Sequence, residues 1–108
     1  MRLYHNPRCS KSRQAVDLLN QKGIKFEEYR YLDNGIAPED FEALLALDGV
    51  LRTKDLGIGV TLDLQNKSDL RDLLSNHPKL LQRPILVKSG NAAIGRPLEN
   101  ILTLLREV

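Results

Sequence analysis

Leu3-Tyr4-His5-Asn6-Pro7-Arg8-Cys9-Ser10-Lys11-Ser12-Arg13 holds the only cysteine of the chain. It reads as a short strand, Arg2 to His5, a tight loop stopped by Pro7, and the start of a helix over Ser12 to Lys22. Ala15, Val16, Leu18 and Leu19 fall on one face of that helix, and Gly23 follows it in the position that favours a left-handed residue. From Ile24 to about Leu32, Ile24 and Phe26 alternate with Lys25 and Glu27, the pattern of a half-buried strand. Strand, helix and strand make one βαβ unit with a right-handed crossover. The unit places Cys9 at a helix N-terminus, where unpaired backbone N–H groups and the helix dipole favour a thiolate, with Arg8, Lys11 and Arg13 nearby.

Working outward, Asp33-Asn34-Gly35 is a turn signal, and Pro38 suits the first position of a second helix that carries Phe41, Leu44 and Leu45 inward. Asp48-Gly49 closes it, and Gly57 and Gly59 prevent a long helix in the stretch that follows. A third short helix carries Leu70, Leu73 and Leu74, capped by Asn66 or Ser68, and ends before His77-Pro78. Residues 38–77 thus read as a helical insertion. Ile85-Leu86-Val87 is a compact strand, Ser89-Gly90-Asn91 a hairpin turn and Ala92-Ala93-Ile94 a return strand. Pro97 opens a closing helix with Leu98, Ile101, Leu102 and Leu105 on one face. The element order implies an α/β sandwich with a central sheet covered by helices, and a length of 108 residues implies one domain over 1–108.

Sixteen Lys and Arg against 14 Asp and Glu leave a net charge of only +2, with basic residues scattered, so no dedicated nucleic-acid surface is expected. No apolar run approaches the length of a membrane span, about 18 residues, and the strand pattern begins at once, so neither a membrane segment nor a signal peptide is expected and the cytoplasm is the expected compartment. A single cysteine forms no internal disulfide, so redox chemistry at Cys9 needs a second thiol from another molecule.

Alternative readings of the first loop fail on spacing. A phosphatase-type loop would need an arginine where Ala15 stands, a dithiol redox motif a cysteine where Ser12 stands, and a metal site more convergent ligands than His5, Cys9 and distant His77. No metal is expected. Ser10 and Ser12 offer hydroxyls beside the thiol, and His5 lies close enough for the loop to fold it toward Cys9 as a polar partner. Arg83 and Arg96 each precede a proline and flank the predicted hairpin, which can bring them to one end of the sheet near the first loop. Arg52 is a candidate for a third donor. Planar guanidinium groups converging on one tetrahedral oxyanion make a site arginine serves better than lysine.

Tyr4-His5-Asn6-Pro7-Arg8-Cys9-Ser10-Lys11-Ser12-Arg13, His77-Pro78 followed by Arg83-Pro84-Ile85, and Gly95-Arg96-Pro97 resemble the glutaredoxin-coupled arsenate reductases, especially their short relatives. The resemblance spans nearly the whole chain. It implies a thioredoxin-like three-layer sandwich with a mixed central sheet and a helical insertion. It also implies that Cys9 is the nucleophile and His5 the histidine that tunes it, with Arg83, Arg96 and, as the best match to a third, Arg52 binding the oxyanion. Pro84 matches a cis-proline facing the site, and Asn6, Ser12 and Arg13 belong to the matched supporting loop. The implied reaction takes arsenate or a similar oxyanion, binds no cofactor, uses glutathione as co-substrate and engages glutaredoxin. Redox-responsive regulators that bind RNA polymerase share the fold but carry a Cys-x-x-Cys pair and lack Gly-Arg-Pro. Ser12 and Arg96 favour an enzyme. A thiol oxidoreductase acting on glutathionylated proteins is the other alternative.

Overall fold

The computed structural model describes residues 1–47, 49–51 and 67–106. Strand β1 (Arg2–Tyr4) lies inside a four-stranded mixed sheet of order β2-β1-β3-β4, where β2 is Glu27–Tyr29, β3 Ile85–Lys88 and β4 Asn91–Ile94. β2 runs parallel to β1, with Leu3 opposite Glu28, while β3 runs antiparallel on its other side, with Leu3 opposite Leu86. The parallel pair is the βαβ unit read from the sequence.

Strand alternation divides the apolar residues between two faces. Leu3 and Leu86 point to one face, where they pack with Ala15, Leu19, Ile101 and Leu104. Those partners come from α1 (Ser10–Gln21) and from the closing segment, a 3₁₀ turn at Leu98–Ile101 running into α5 (Leu102–Arg106). Tyr4, Ile85 and Val87 point to the other face, against Tyr31, Phe41, Leu44, Leu70, Leu74 and Leu81. That layer is built from α2 (Tyr31–Asn34), a 3₁₀ turn at Pro38–Asp40, α3 (Phe41–Leu45), α4 (Lys67–Asn76) and a 3₁₀ turn at Pro78–Leu80. The result is the three-layer thioredoxin-like sandwich; within the expected insertion over 38–77, residues 38–45 and 67–76 are helical, while Leu51 bridges to Leu81 in extended form.

Boundaries differ from the sequence reading at several points: β1 stops at Tyr4, the second helix opens as a 3₁₀ turn and ends at Leu45, and Ser68, expected as a possible cap, lies inside α4. α1 starts at Ser10 rather than Ser12, and ends in a Schellman turn: Gly23 at φ +67 donates to Asn20 O and Ile24 donates to Leu19 O, each at 3.0 Å. The strand expected over residues 24–32 shrinks to Glu27–Tyr29, since Asn34 and Gly35 donate to Arg30 O and Tyr31 O and wind Tyr31–Asn34 into a helical turn. Tyr31 still buries completely, tilted against Tyr4 with ring centroids 6.0 Å apart. The closing helix begins as a 3₁₀ turn, and Leu104 rather than Leu105 is its deepest side chain after Ile101.

A polar network ties β1 to the insertion. Asp40 is buried, and one of its carboxylate oxygens accepts from Arg2 Nη1 and from Tyr4 OH, both at 2.6 Å; the same phenol oxygen accepts the Ala37 N–H at 3.2 Å. Arg2 also pairs with Glu27 and Glu39. A buried carboxylate persists only with such partners. Burial first, and then Asp40, push the Tyr4 phenol well above its ordinary range, so it stays a donor.

Candidate active site

The loop after β1 is held by its own polar groups. Cys9 N–H donates to Asn6 O at 3.0 Å, Arg8 N–H donates to Asn6 Oδ1 at 3.0 Å, and Arg13 Nη1 donates to Pro7 O at 2.9 Å. Cys9, half-buried with extended backbone angles, is the N-cap residue of α1, where Ser, Thr or Asp more often stands. Its sulfur occupies the place of a capping oxygen. The backbone N–H groups of Ser12 and Lys11 lie toward it, although neither closes a capping hydrogen bond of full geometry.

Two arginines reach the same sulfur from the far end of the chain. Arg96 Nη2 donates to Cys9 Sγ at 3.8 Å, and the Arg83 guanidinium faces the sulfur as well. Burial is the largest single influence on the thiol and pushes its pKa up; the Ser12 N–H, Arg83 and the Lys11 N–H together outweigh it and leave the pKa below its ordinary value. The two arginines are also locked to each other, since Arg96 Nε donates to Arg83 O at 2.8 Å. Arg83 Nε is buried with no hydrogen-bond partner among the described residues. The guanidinium therefore keeps donor capacity for a ligand.

Local backbone fixes where the arginines sit. The Arg83–Pro84 peptide bond is cis, as is Arg96–Pro97, and Gly95 N–H donates to Pro84 O at 2.8 Å. Gly95 packs so closely on Pro84 that an added Cβ would stand 2.9 Å from Pro84 Cγ and 3.2 Å from Ile101 Cγ2. Residues 50 and 51 run beside 81 and 82, with Gln82 N–H donating to Val50 O at 2.7 Å. Arg52, the expected third donor, lies outside the described residues.

His5 does not meet the sulfur directly. It is buried, with Nδ1 2.6 Å from Ser12 Oγ and Nε2 3.8 Å from Glu28 Oε1. Burial, the largest influence, lowers its pKa; Arg30 and Arg13 act in the same sense and Glu28 opposes them. The ring is neutral at pH 7. Ser12 Oγ also accepts the Asn6 N–H at 3.0 Å, so one hydroxyl bridges the loop backbone and His5 Nδ1. His5 therefore reaches Cys9 through Ser12, whose side chain it holds while the Ser12 N–H lies toward the sulfur. Sequence reading took Ser12 for a hydroxyl donor to the thiol; its complete burial on the inner face of α1, one turn before Ala15, is the signal that its side chain points the other way. The capping role of Cys9 was legible only once the helix start moved to Ser10. Among the described residues no group of His, Cys, Asp or Glu is placed to hold a metal, and none of the helices described is long and apolar enough to cross a membrane.

A reactive thiol at a helix N-terminus, with two arginines on it, is an arrangement for attacking an oxyanion. Residues 4–104 match the ArsC family. An arsenate reductase of Neisseria meningitidis is 41% identical over 119 aligned positions that cover 97% of this chain and 97% of its own length. An arsenate reductase of Haemophilus influenzae is 36% identical, covering 95% and 97%. Among solved structures, an arsenate reductase from Vibrio cholerae superposes with a TM-score of 0.76 at 32% identity, covering 95% of this chain and 97% of that one.

Proposed function

The chain belongs to the ArsC family, and on that premise we propose that it reduces arsenate at Cys9, with glutathione and glutaredoxin supplying the remaining thiols. The observation that carries this reading is the convergence of Arg83 and Arg96 on one sulfur whose pKa is lowered. Arg83 and Arg96 hold the arsenate oxygens, with Arg52 as third donor, and neutralise the charge that would otherwise repel a thiolate. His5 and Ser12 keep the N-terminal turn of α1 seated, Asn6 and Arg13 brace the loop, and Pro84 sets the approach of Arg83.

In the first step the Cys9 thiolate attacks arsenic, and a protonated arsenate oxygen leaves as water, giving an S–As bond to pentavalent arsenic. A glutathione thiolate then attacks the Cys9 sulfur. The S–As bond breaks with its electron pair on arsenic, which departs as trivalent arsenite, and Cys9 is left as a mixed disulfide with glutathione. A glutaredoxin thiol takes over the glutathionyl group and returns Cys9 to the thiolate. Two thiols are oxidised to one disulfide for each arsenic reduced. The arginines contribute positioning and electrostatic stabilisation as charge shifts on the oxyanion.

Arsenate-dependent NADPH oxidation, coupled through glutathione, glutathione reductase and glutaredoxin, tests the reading. Wild type turns over and Cys9→Ser does not. Absence of arsenate-dependent turnover in wild type overturns the arsenate assignment. In that case, release of glutathione from a glutathionylated protein would favour the thiol oxidoreductase, and binding to RNA polymerase without turnover the regulator.

A further inference from the structure

The site described so far is half of what the reaction needs, because the only cysteine supplies one thiol and a second must approach from outside. A cleft of about 370 Å³ adjoins the Cys9 loop and is lined by Asn6, Tyr31, Leu32, Lys79 and Arg83. It shares two residues with the site: Asn6, whose O accepts the Cys9 N–H, and Arg83, which faces the sulfur. Its lining also includes an exposed lysine, Lys79, in the turn that follows α4, with no salt bridge among the described residues. Leu32 on its wall is one of two large hydrophobic side chains left exposed among the described residues. Two cations, Lys79 and Arg83, and an apolar wall suit a small, flexible anionic molecule whose reacting atom can reach the Cys9 sulfur.

We propose that this cleft receives the thiol co-substrate, an anionic low-molecular-weight thiol, and that Lys79 determines its specificity by pairing with a carboxylate. The proposal rests on the reading of Cys9 as a thiol that exchanges with an outside thiol. Glutathione carries two carboxylates and one ammonium, so it is net negative at neutral pH and matches the cleft, whereas an uncharged thiol gains nothing from Lys79. The pairing lies partly in water. It acts on capture of the thiol and leaves the chemical step at sulfur alone.

The test needs no arsenate. Cys9 thiolate attacks one sulfur of glutathione disulfide, forming the Cys9–glutathione disulfide and releasing glutathione thiolate, and intact mass follows the reaction. Lys79→Glu is expected to lower the second-order rate with glutathione disulfide by about threefold or more, the scale of one partly screened ion pair reversed. It should leave the rate with bis(2-hydroxyethyl) disulfide unchanged. Lys25→Glu, the same charge change at an exposed position before β2, should alter neither rate. Raised salt should bring wild type toward the Lys79→Glu rate. An unchanged glutathione disulfide rate in Lys79→Glu, an equal loss with both disulfides, or the same loss in Lys25→Glu overturns the proposal. A wild-type Cys9 that exchanges with neither disulfide overturns the reactive-thiol reading itself, while missing arsenate turnover with normal exchange overturns only the arsenate assignment.

Discussion

At the level of single residues, Cys9 is a half-buried thiol whose pKa its neighbours lower. Its rate of alkylation follows the thiolate fraction, so a lowered pKa sets the half-maximal rate at a pH below that of an unperturbed thiol. Arg83→Ala removes one of the lowering influences while burial continues to raise the pKa. Its midpoint should therefore move up, and its alkylation rate at pH 7 should fall, as a pH series with iodoacetamide would show. The same variant should lose arsenate turnover by about a hundredfold or more, the usual cost of one preorganised donor to a developing charge. The helix-start position of Cys9 was legible from Pro7 and from the apolar spacing of α1. The burial of Asp40 was not, because its partners Arg2 and Tyr4 come from a strand far away in sequence. Lys79 gave no local signal at all; a lysine in a turn means something only once Arg83 and Leu32 stand beside it.

Among the elements, the approach to β3 and the exit from β4 do most to place the arginines. Gly95 joins them: its N–H holds Pro84 O, and its missing side chain admits the Pro84 ring. A Cβ at 2.9 Å from a proline ring has no flexible side-chain end to push aside, so Gly95→Ala must shift Pro84 or Ile101. The expected cost is about 1–3 kcal/mol, read as a lower urea midpoint with unchanged m-value, and the displaced Arg83 should depress turnover in the folded fraction. The hairpin turn was readable from Ser89-Gly90-Asn91; Ser89 and Gly90 take positive φ, +50 and +81, as a two-residue hairpin requires, and Asn91 already belongs to β4. The end of β2 was not. Tyr29 and Tyr31 have the spacing of one strand face, yet that spacing is also met by a chain that leaves the sheet and drops Tyr31 into the same apolar layer.

For the whole molecule, the sheet is a partition between two apolar layers that share β1 and β3. Leu86, fully buried at the centre of β3, packs on the α1 and α5 side, whereas its neighbours Ile85 and Val87 serve the insertion side. Leu86→Ala should cost about 2–5 kcal/mol. Because both layers hang on that strand, circular dichroism and tyrosine fluorescence should report the loss at one common urea midpoint. The three-layer plan was legible because strand alternation and helix spacing each point to it independently, and the match between Leu3 and Leu86 follows from that alternation once the strand order is known. The central place of β1 also has a consequence for synthesis. β1 is flanked on one side by β3, so a pairing as distant as Leu3 with Leu86 cannot form until the chain has been made through β3. Through that interval Cys9 stands on a nascent chain without Arg83 or Arg96. The share of the thiolate's stabilisation that comes from Arg83 is thus acquired only after the chain has been made through the hairpin.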